Sequence, residues 1–212
     1  MTLSLFPDEV RQSLGASAWV LRGCALAQAE ALLADIHQVL KHAPLRQMIT
    51  ASGHRMSVAM SNCGALGWVS DRSGYRYASL DPLRQQPWPA MPMAFMALAQ
   101  RAAGEAGFAD FTPDACLINR YESGTKLSLH QDKDERDYRQ PIVSVSLGLP
   151  AVFLFGGARR QDRPARVRLE HGDVVIWGGP SRLNFHGVAE LAGAMHDATG
   201  PYRFNLTFRK AG

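Results

Sequence analysis

The chain has 212 residues, of which 46% are apolar and 20% charged, with a net charge of +4. That length supports one sizeable core rather than two small ones, and the composition excludes a disordered or fibrous chain. The modest basic excess, with pI ≈ 9.2, permits an anionic partner such as nucleic acid without requiring one.

The first ten residues, MTLSLFPDEV, carry no basic leader region. No stretch approaches the roughly 18 uninterrupted apolar residues of a membrane span. Cys24, Cys63 and Cys116 are an odd set with no close pairing, which argues against a disulfide framework and for a reducing compartment. The expectation is a cytoplasmic protein that acts as a monomer.

The first periodic segment is ALAQAEALLADIHQVLKHA, Ala25 to Ala43, with Leu32, Leu33, Ile36 and Leu40 at helical spacing and Pro44 after its end. A second helix is predicted from Pro92 through PMAFMALAQRAAGEAG, fraying at Gly104 to Gly107. Between them, residues 44–90 hold aromatics, glycines and prolines in short pieces such as RMSVAM, which reads as a lid. From Asp114 onward the pattern becomes short β runs: ACLINRY, KLSLHQD, PIVSVSLG, AVFLFGG, RVRLEHG, DVVIWGG, RLNFHG and YRFNLTFR. Eight such runs separated by turn signals predict a sandwich or small barrel with the helices packed against it.

Alternation along the last run puts Phe204, Leu206 and Phe208 on one face and Arg203, Asn205, Thr207 and Arg209 on the other. A polar face of that kind more often meets water. In LINRY, Leu117, Asn119 and Tyr121 share a face. If both strands line one cavity, Asn119, Tyr121 and the two arginines form a donor set for a small dicarboxylate, which guanidinium groups bind in bidentate fashion.

His130 and Asp132 stand two apart, so on a strand an imidazole and a carboxylate project together. Two histidines and one carboxylate form the facial set that leaves open positions on iron(II). His186, 54 residues after Asp132 and 17 before Arg203, is the candidate third ligand. His171 and Asp173 form a second His-X-Asp, but Gly172 between them reads as a turn that splays the side chains. His37 and His42 are five apart on the first helix, and His54 and His196 lie in loop-like, solvent-facing surroundings.

NRYESGTKLSLHQDKDE, PIVSVSLGLPAVF, LEHGDVVIWGG, RLNFHG and RFNLTFR, with RQMIT, MSVAMSNCG, LGW and WPAMP upstream, together resemble the bacterial AlkB-type iron(II)/2-oxoglutarate dioxygenases. That family repairs alkylated nucleobases, and the resemblance runs from about Pro44 to Lys210. It implies an α+β fold with a mainly β core. That core, residues 114–210, would be a double-stranded β-helix (a cupin-like jelly roll), with residues 44–90 as a nucleotide-recognition lid in a single dioxygenase domain. The implied cofactors are Fe(II), 2-oxoglutarate and O2.

Carried over by position, the resemblance implies His130, Asp132 and His186 as iron ligands. Arg203, with Asn119 and Tyr121, would hold the distal carboxylate of 2-oxoglutarate, and Asn205 and Arg209 would lie near its metal-bound end. Trp68 and His130 would flank a flipped base, with Tyr75 close by and Asp134 favouring cationic methylated bases. The basic stretch ARRQDRPARVR would meet phosphates through Arg160, and Thr50, Met56, Ser57 and Met60 would contact nucleic acid from the lid. His54 departs from the family pattern, which has tyrosine there.

The implied reaction is oxidative demethylation of bases such as 1-methyladenine and 3-methylcytosine, with release of formaldehyde and succinate. The implied partner is single-stranded or base-flipped DNA, or RNA. Two alternatives remain at this point: a dioxygenase acting on a protein or small molecule, and a non-catalytic cupin-like metal-binding domain.

Overall fold

In the computed structural model, residues 11–212 are described; the reading of the first ten residues lies outside them. The chain opens with the hairpin β1 (Arg11–Gly15) and β2 (Ala18–Leu21), then α1 (Ala29–His42). Residues 44–90 hold β3 (Ala59–Gly64), β4 (Gly67–Asp71), β5 (Gly74–Ala78), β6 (Leu80–Asp81) and β7 (Gln86–Pro87), and α2 (Met93–Glu105) follows. The remainder is β8 (Ala115–Glu122), β9 (Leu127–His130), β10 (Ile142–Gly148), β11 (Ala151–Phe155), β12 (Ala165–Leu169), β13 (Val174–Trp177), β14 (His186–Val188) and β15 (Tyr202–Arg209).

Two sheets face each other. The larger has the order β1-β2-β13-β10-β15-β8-β3 and the smaller β12-β11-β14-β9. Period-two alternation divides the larger sheet into two surfaces with different partners. Val143, Val145, Leu147, Phe204, Leu206, Phe208, Cys116 and Ile118 point outward and bury Leu32, Ile36, Phe95 and Leu98 of the two helices. The opposite surface meets the smaller sheet: Val175 and Trp177 join Phe153, Phe155 and Val167 at one end, and Leu117 and Tyr121 join Ala151 and Val188 at the other. This is the jelly-roll arrangement expected, with helices on one face.

Several local expectations are corrected. The first helix starts at Ala29 rather than Ala25, because Leu26–Gln28 forms a 3-10 turn and the Ala25 N–H is held by the Gly172 carbonyl at 2.8 Å. Pro92, extended at φ −55 and ψ 144, is the residue before the second helix rather than its first. The β1–β2 hairpin, unread in the sequence, extends the larger sheet beyond β13. Residues 44–90 are not all excursion: β3 pairs with β8 along its whole length and is an edge strand of the larger sheet. Two short antiparallel hairpins, β4–β5 and β6–β7, supply the rest of the regular structure there. No helix among the described residues is long and apolar enough to cross a membrane.

Phe95 tests how much the helix layer contributes. It is fully buried and meets Phe208 edge to face at 6.0 Å between ring centres. Phe95→Ala is expected to lower unfolding free energy by about 3–5 kcal/mol, read as a lower urea midpoint with an unchanged slope.

Candidate metal and ligand site

The two sheets enclose a cavity of about 680 Å³. Its wall on the larger sheet is built by three neighbouring strands whose inward positions are polar: Asn119 and Tyr121 on β8, Ser144 on β10, and Arg203, Asn205, Thr207 and Arg209 on β15. Register explains the grouping, since Arg203 lies opposite Tyr121 and Asn205 opposite Asn119. The polar face of β15 does not meet water: its four residues are between 1% and 6% exposed.

On the smaller sheet, β14 pairs with β9 so that His186 stands directly opposite His130, with ring centres 4.4 Å apart. The register slips between His186 and Val188, and Gly187 occupies the slip; a Cβ there would sit 2.6 Å from the Leu127 carbonyl oxygen. Each histidine donates from Nδ1 to a carbonyl two residues back, His130 to Ser128 at 2.9 Å and His186 to Asn184 at 3.0 Å. That fixes the tautomer and leaves both Nε2 lone pairs free.

Asp132 completes the cluster by a different route from the one expected. The strand ends at His130, so Asp132 is not on it; it sits in an irregular segment held by a hydrogen bond from Arg182 Nη1 to its carbonyl at 2.7 Å. RLNFHG likewise is not a strand run, since β14 begins only at His186 after a 3-10 turn at Gly179–Ser181. Asp132 Oδ1 lies 3.5 Å from His130 Nε2, and Oδ2 lies 3.8 Å from His186 Nε2. All three donor atoms fall within 4.8 Å of one another, among the described residues the one such group of three or more. A cation about 2.1 Å from each donor fits separations of this size. Arg209 donates to Asp132 Oδ2 from Nε at 2.8 Å and Nη2 at 2.6 Å, which leaves Oδ1 without an arginine partner and open to a cation.

For Asp132 and His186 the electrostatics agree. Burial alone would raise the Asp132 carboxyl, but Arg209 and then the two imidazoles outweigh it and hold it well below the usual carboxylate range. Burial and then His130 push His186 down to about 4, so its imidazole stays neutral near pH 7, as a metal ligand must. Burial would also lower His130, but the Asp132 carboxylate reverses the sign and raises it.

Arg203 is the other exceptional group. It is 1% exposed, its Nη2 donates to Ser146 Oγ at 3.0 Å, and its carbon centre lies 5.0 Å from the Tyr121 ring. Its Nε and Nη1 have no partner among the described residues. A buried guanidinium with two idle donors on a cavity wall is the mark of a site for an anion that is itself bidentate. Asn205 is differently employed: its amide accepts from Asn119 and Thr207 and donates to Ser144 and Val145, so it braces the wall.

Toward the opening lie Trp68 and Tyr75, stacked at 5.5 Å and 17°, with Tyr75 half exposed. Trp68 Nε1 donates to Asp134 Oδ2 at 2.8 Å, and Trp68, Tyr75 and Asp134 all line the cavity. Thr50, Met56, Ser57, Met60 and Arg160 line it too; Met60 is buried opposite Asn119, whereas Arg160 is exposed over the Phe185 ring. The remaining histidines lie apart from this group. Gly172, with φ +87, turns His171 to accept from the Gly148 N–H and Asp173 to pair with Arg22. His54 is exposed, while His196 is less open than expected because it packs on His171 at 4.7 Å.

The sequence from residue 19 to 209 matches the 2OG-Fe(II) oxygenase superfamily. Over 211 residues the chain is 58% identical to the alpha-ketoglutarate-dependent dioxygenase AlkB of Salmonella typhimurium, covering 99% of this chain and 98% of that protein. The chain belongs to the 2OG-Fe(II) oxygenase superfamily, in its bacterial AlkB-type branch. The solved structure of OsALKBH1 superposes with a TM-score of 0.82 at 29% identity, covering 94% of this chain and 99% of that one. A DNA N(6)-methyladenine demethylase of Arabidopsis thaliana, ALKBH1C, is 33% identical over 70% of this chain and 38% of its own length. The protein is thus an Fe(II)/2-oxoglutarate-dependent dioxygenase, and its cofactors are Fe(II), 2-oxoglutarate and O2.

Sequence reasoning placed Thr207 on the polar face of its strand without giving it a role, and missed Ser144, Tyr77, Glu135 and Arg182. Ser144 had a readable signal, because serines alternating with valines in PIVSVSLG mark one polar face on an otherwise buried strand. Glu135 gave none, lying in a run of charges that looks solvated.

The depressed His186 pKa has a consequence for stability without metal. Folding favours the neutral ring, so its contribution is complete above the unfolded value near 6.5 and is lost as pH falls toward about 4. The metal-free protein is expected to melt at progressively lower temperature from pH 7 to pH 4, and His186→Ala is expected to flatten that slope.

Proposed function

We propose that the protein demethylates alkylated nucleobases in nucleic acid, with cationic bases such as 1-methyladenine and 3-methylcytosine as substrates. In this reading His130, Asp132 and His186 hold the iron, and Arg203 receives the distal carboxylate of 2-oxoglutarate with Asn119 and Tyr121 beside it. The observation that carries the proposal is that one cavity combines three features. These are a His-Asp-His cluster, a buried guanidinium with unused donors, and a stacked aromatic pair at the opening.

Bound iron(II), with 2-oxoglutarate and dioxygen, supplies the oxidation that converts an N-methyl group to N-hydroxymethyl while the keto acid becomes succinate and carbon dioxide. The hydroxymethyl group then leaves as formaldehyde, its hydroxyl proton passes to solvent, and the ring nitrogen of the neutral base regains its lone pair. The chain's own residues orient and exclude. Arg203 orients the keto acid from one end of β15, and Arg209 fixes Asp132 at the other. Apolar Leu117, Phe153 and Trp177 line the cavity and keep bulk water from the reacting carbon.

Trp68 and Tyr75 offer a flat, partly exposed platform to a base removed from its stack. Asp134 is fixed by Trp68 through one oxygen, so its other oxygen remains to attract a positively charged base and accept from its exocyclic amine. Arg160 and Lys126 line the opening and suit backbone phosphates. An extruded or single-stranded nucleotide fits this arrangement, and a monomer suffices because one chain provides every group named.

Incubation with methylated oligonucleotides, Fe(II), 2-oxoglutarate and oxygen is expected to remove one CH2 in mass per lesion and yield equimolar formaldehyde. Absence of both products with a folded, iron-loaded protein would refute the assignment. Asp132→Ala is expected to abolish turnover, whereas Arg203→Ala should raise KM for 2-oxoglutarate by about 30-fold or more, equivalent to about 2 kcal/mol. Trp68→Ala should impair oligonucleotide repair more than 2-oxoglutarate consumption without substrate, measured as the ratio of formaldehyde to succinate.

A further inference from the structure

The ion pair between Arg182 and Glu135 has no part in the chemistry described above. It is more deeply buried than any other ion pair among the described residues, with side chains 3% and 2% exposed and Nη2 to Oε2 at 2.9 Å. Arg182 uses its remaining donors on main-chain carbonyls, Nη1 on Asp132 at 2.7 Å and Nε on Gln140 at 3.0 Å. A buried ion pair adds little stability over an apolar substitute, so the information in this one is directional. The planar fork fixes three acceptors in one plane, which a lysine cannot do.

Its place in the chain gives that direction a target. Strand pairing joins His130 to His186, but Asp132 lies past the end of β9 and has no ladder to place it. Arg182 sits four positions before His186 and Glu135 three after Asp132, so this one contact links the segments that deliver the two residues. Glu135 also reaches in two further directions through Oε1. It accepts from the Tyr77 hydroxyl at 2.6 Å and lies 3.4 Å from Arg209 Nε, the same arginine that grips Asp132. Tyr77 is the cross-strand partner of Trp68 in the β4–β5 hairpin.

We propose that Arg182 and Glu135 are positioning residues, a buried strut that places the Asp132 carboxylate relative to His186 and, through Tyr77, seats the aromatic hairpin on the metal site. The inference rests on the iron-ligand assignment above, so the test separates the two. Mn(II) is titrated calorimetrically into metal-free protein without 2-oxoglutarate, with circular dichroism reporting the fold. His186→Ala should abolish binding; if it does not, the ligand assignment fails independently of the strut.

Arg182→Lys retains the charge but loses the fork, and is expected to weaken Mn(II) binding about 10- to 100-fold, as loss of an outer hydrogen-bond partner commonly does. Should that variant not fold, Glu135→Gln, nearly isosteric, is read in the same titration and with the same expectation. A folded variant that binds Mn(II) like the parent, beside a His186→Ala protein that does not, overturns the strut. Tyr77→Phe removes only the hydroxyl. It should leave Mn(II) affinity within about twofold while raising KM for methylated oligonucleotide, leaving KM for 2-oxoglutarate unchanged and lowering formaldehyde formed per succinate. An unchanged ratio overturns the link to the hairpin.

Discussion

The site depends on one cross-strand pair. When β14 is laid antiparallel to β9 with His186 opposite His130, two imidazoles separated by more than fifty residues of chain are brought within ligand distance of a common point. The pairing tolerates this crowding because Gly187 follows, where the strands approach too closely for a side chain and the register slips. Each ring is then oriented by its own backbone, through a carbonyl two residues earlier, so neither depends on a distant side chain for its tautomer. Only the carboxylate lacks such local support, and it is held from outside by Arg209 and by the segment that contains Arg182.

The inner face of the larger sheet explains how so many charges are kept dry. Arg182 and Arg209 are matched by Glu135 and Asp132, a set of four with no net charge, and such a set escapes most of the cost of desolvation. Arg203 is not matched. Burial works against its charge, and Tyr121 and Ser146 offset that only in part. Under the proposed function, that imbalance favours an anionic cosubstrate: a carboxylate entering the cavity would complete a pair that the fold has left half made. The same reasoning accounts for the hydroxyls and amides between the two arginines. Asn119, Asn205, Ser144 and Thr207 satisfy one another, so the wall carries dipoles without demanding water.

How much of this the sequence revealed varied with the kind of signal. Strand alternation in RFNLTFR and LINRY was legible, and it correctly grouped Arg203, Asn205 and Arg209, and Asn119 with Tyr121, because periodicity of two is a property of the chain itself. Whether such a face meets water or a cavity is not, since that is decided by the sheet packed opposite. The His-X-Asp spacing picked out two residues that do cluster with His186, but through an incomplete geometry: Asp132 arrives by a loop, not by a strand. Residues 44–90 hid β3 because its pairing partner β8 comes only after α2, and a long-range ladder leaves no local trace. Arg182 and Glu135 were illegible for a related reason. In isolation each is a charged residue near a turn, and only the fold shows them to be almost completely buried against each other.

The aromatic hairpin is fastened to the rest of the site at two polar points, Trp68 to Asp134 and Tyr77 to Glu135. Both anchors lie in the stretch that begins at Gln131 and contains Asp132, so one irregular segment of chain carries the proposed metal-binding carboxylate, the anchors of the aromatic hairpin and one half of the buried ion pair. Such a segment cannot move for one task without moving for the others. A substitution that reshapes the platform to admit a different base therefore has to keep the contact between Tyr77 and Glu135 if the hairpin is to stay seated beside Asp132. In the proposed function, base recognition and metal binding would thus share a single loop, while the two histidines are carried by the smaller sheet.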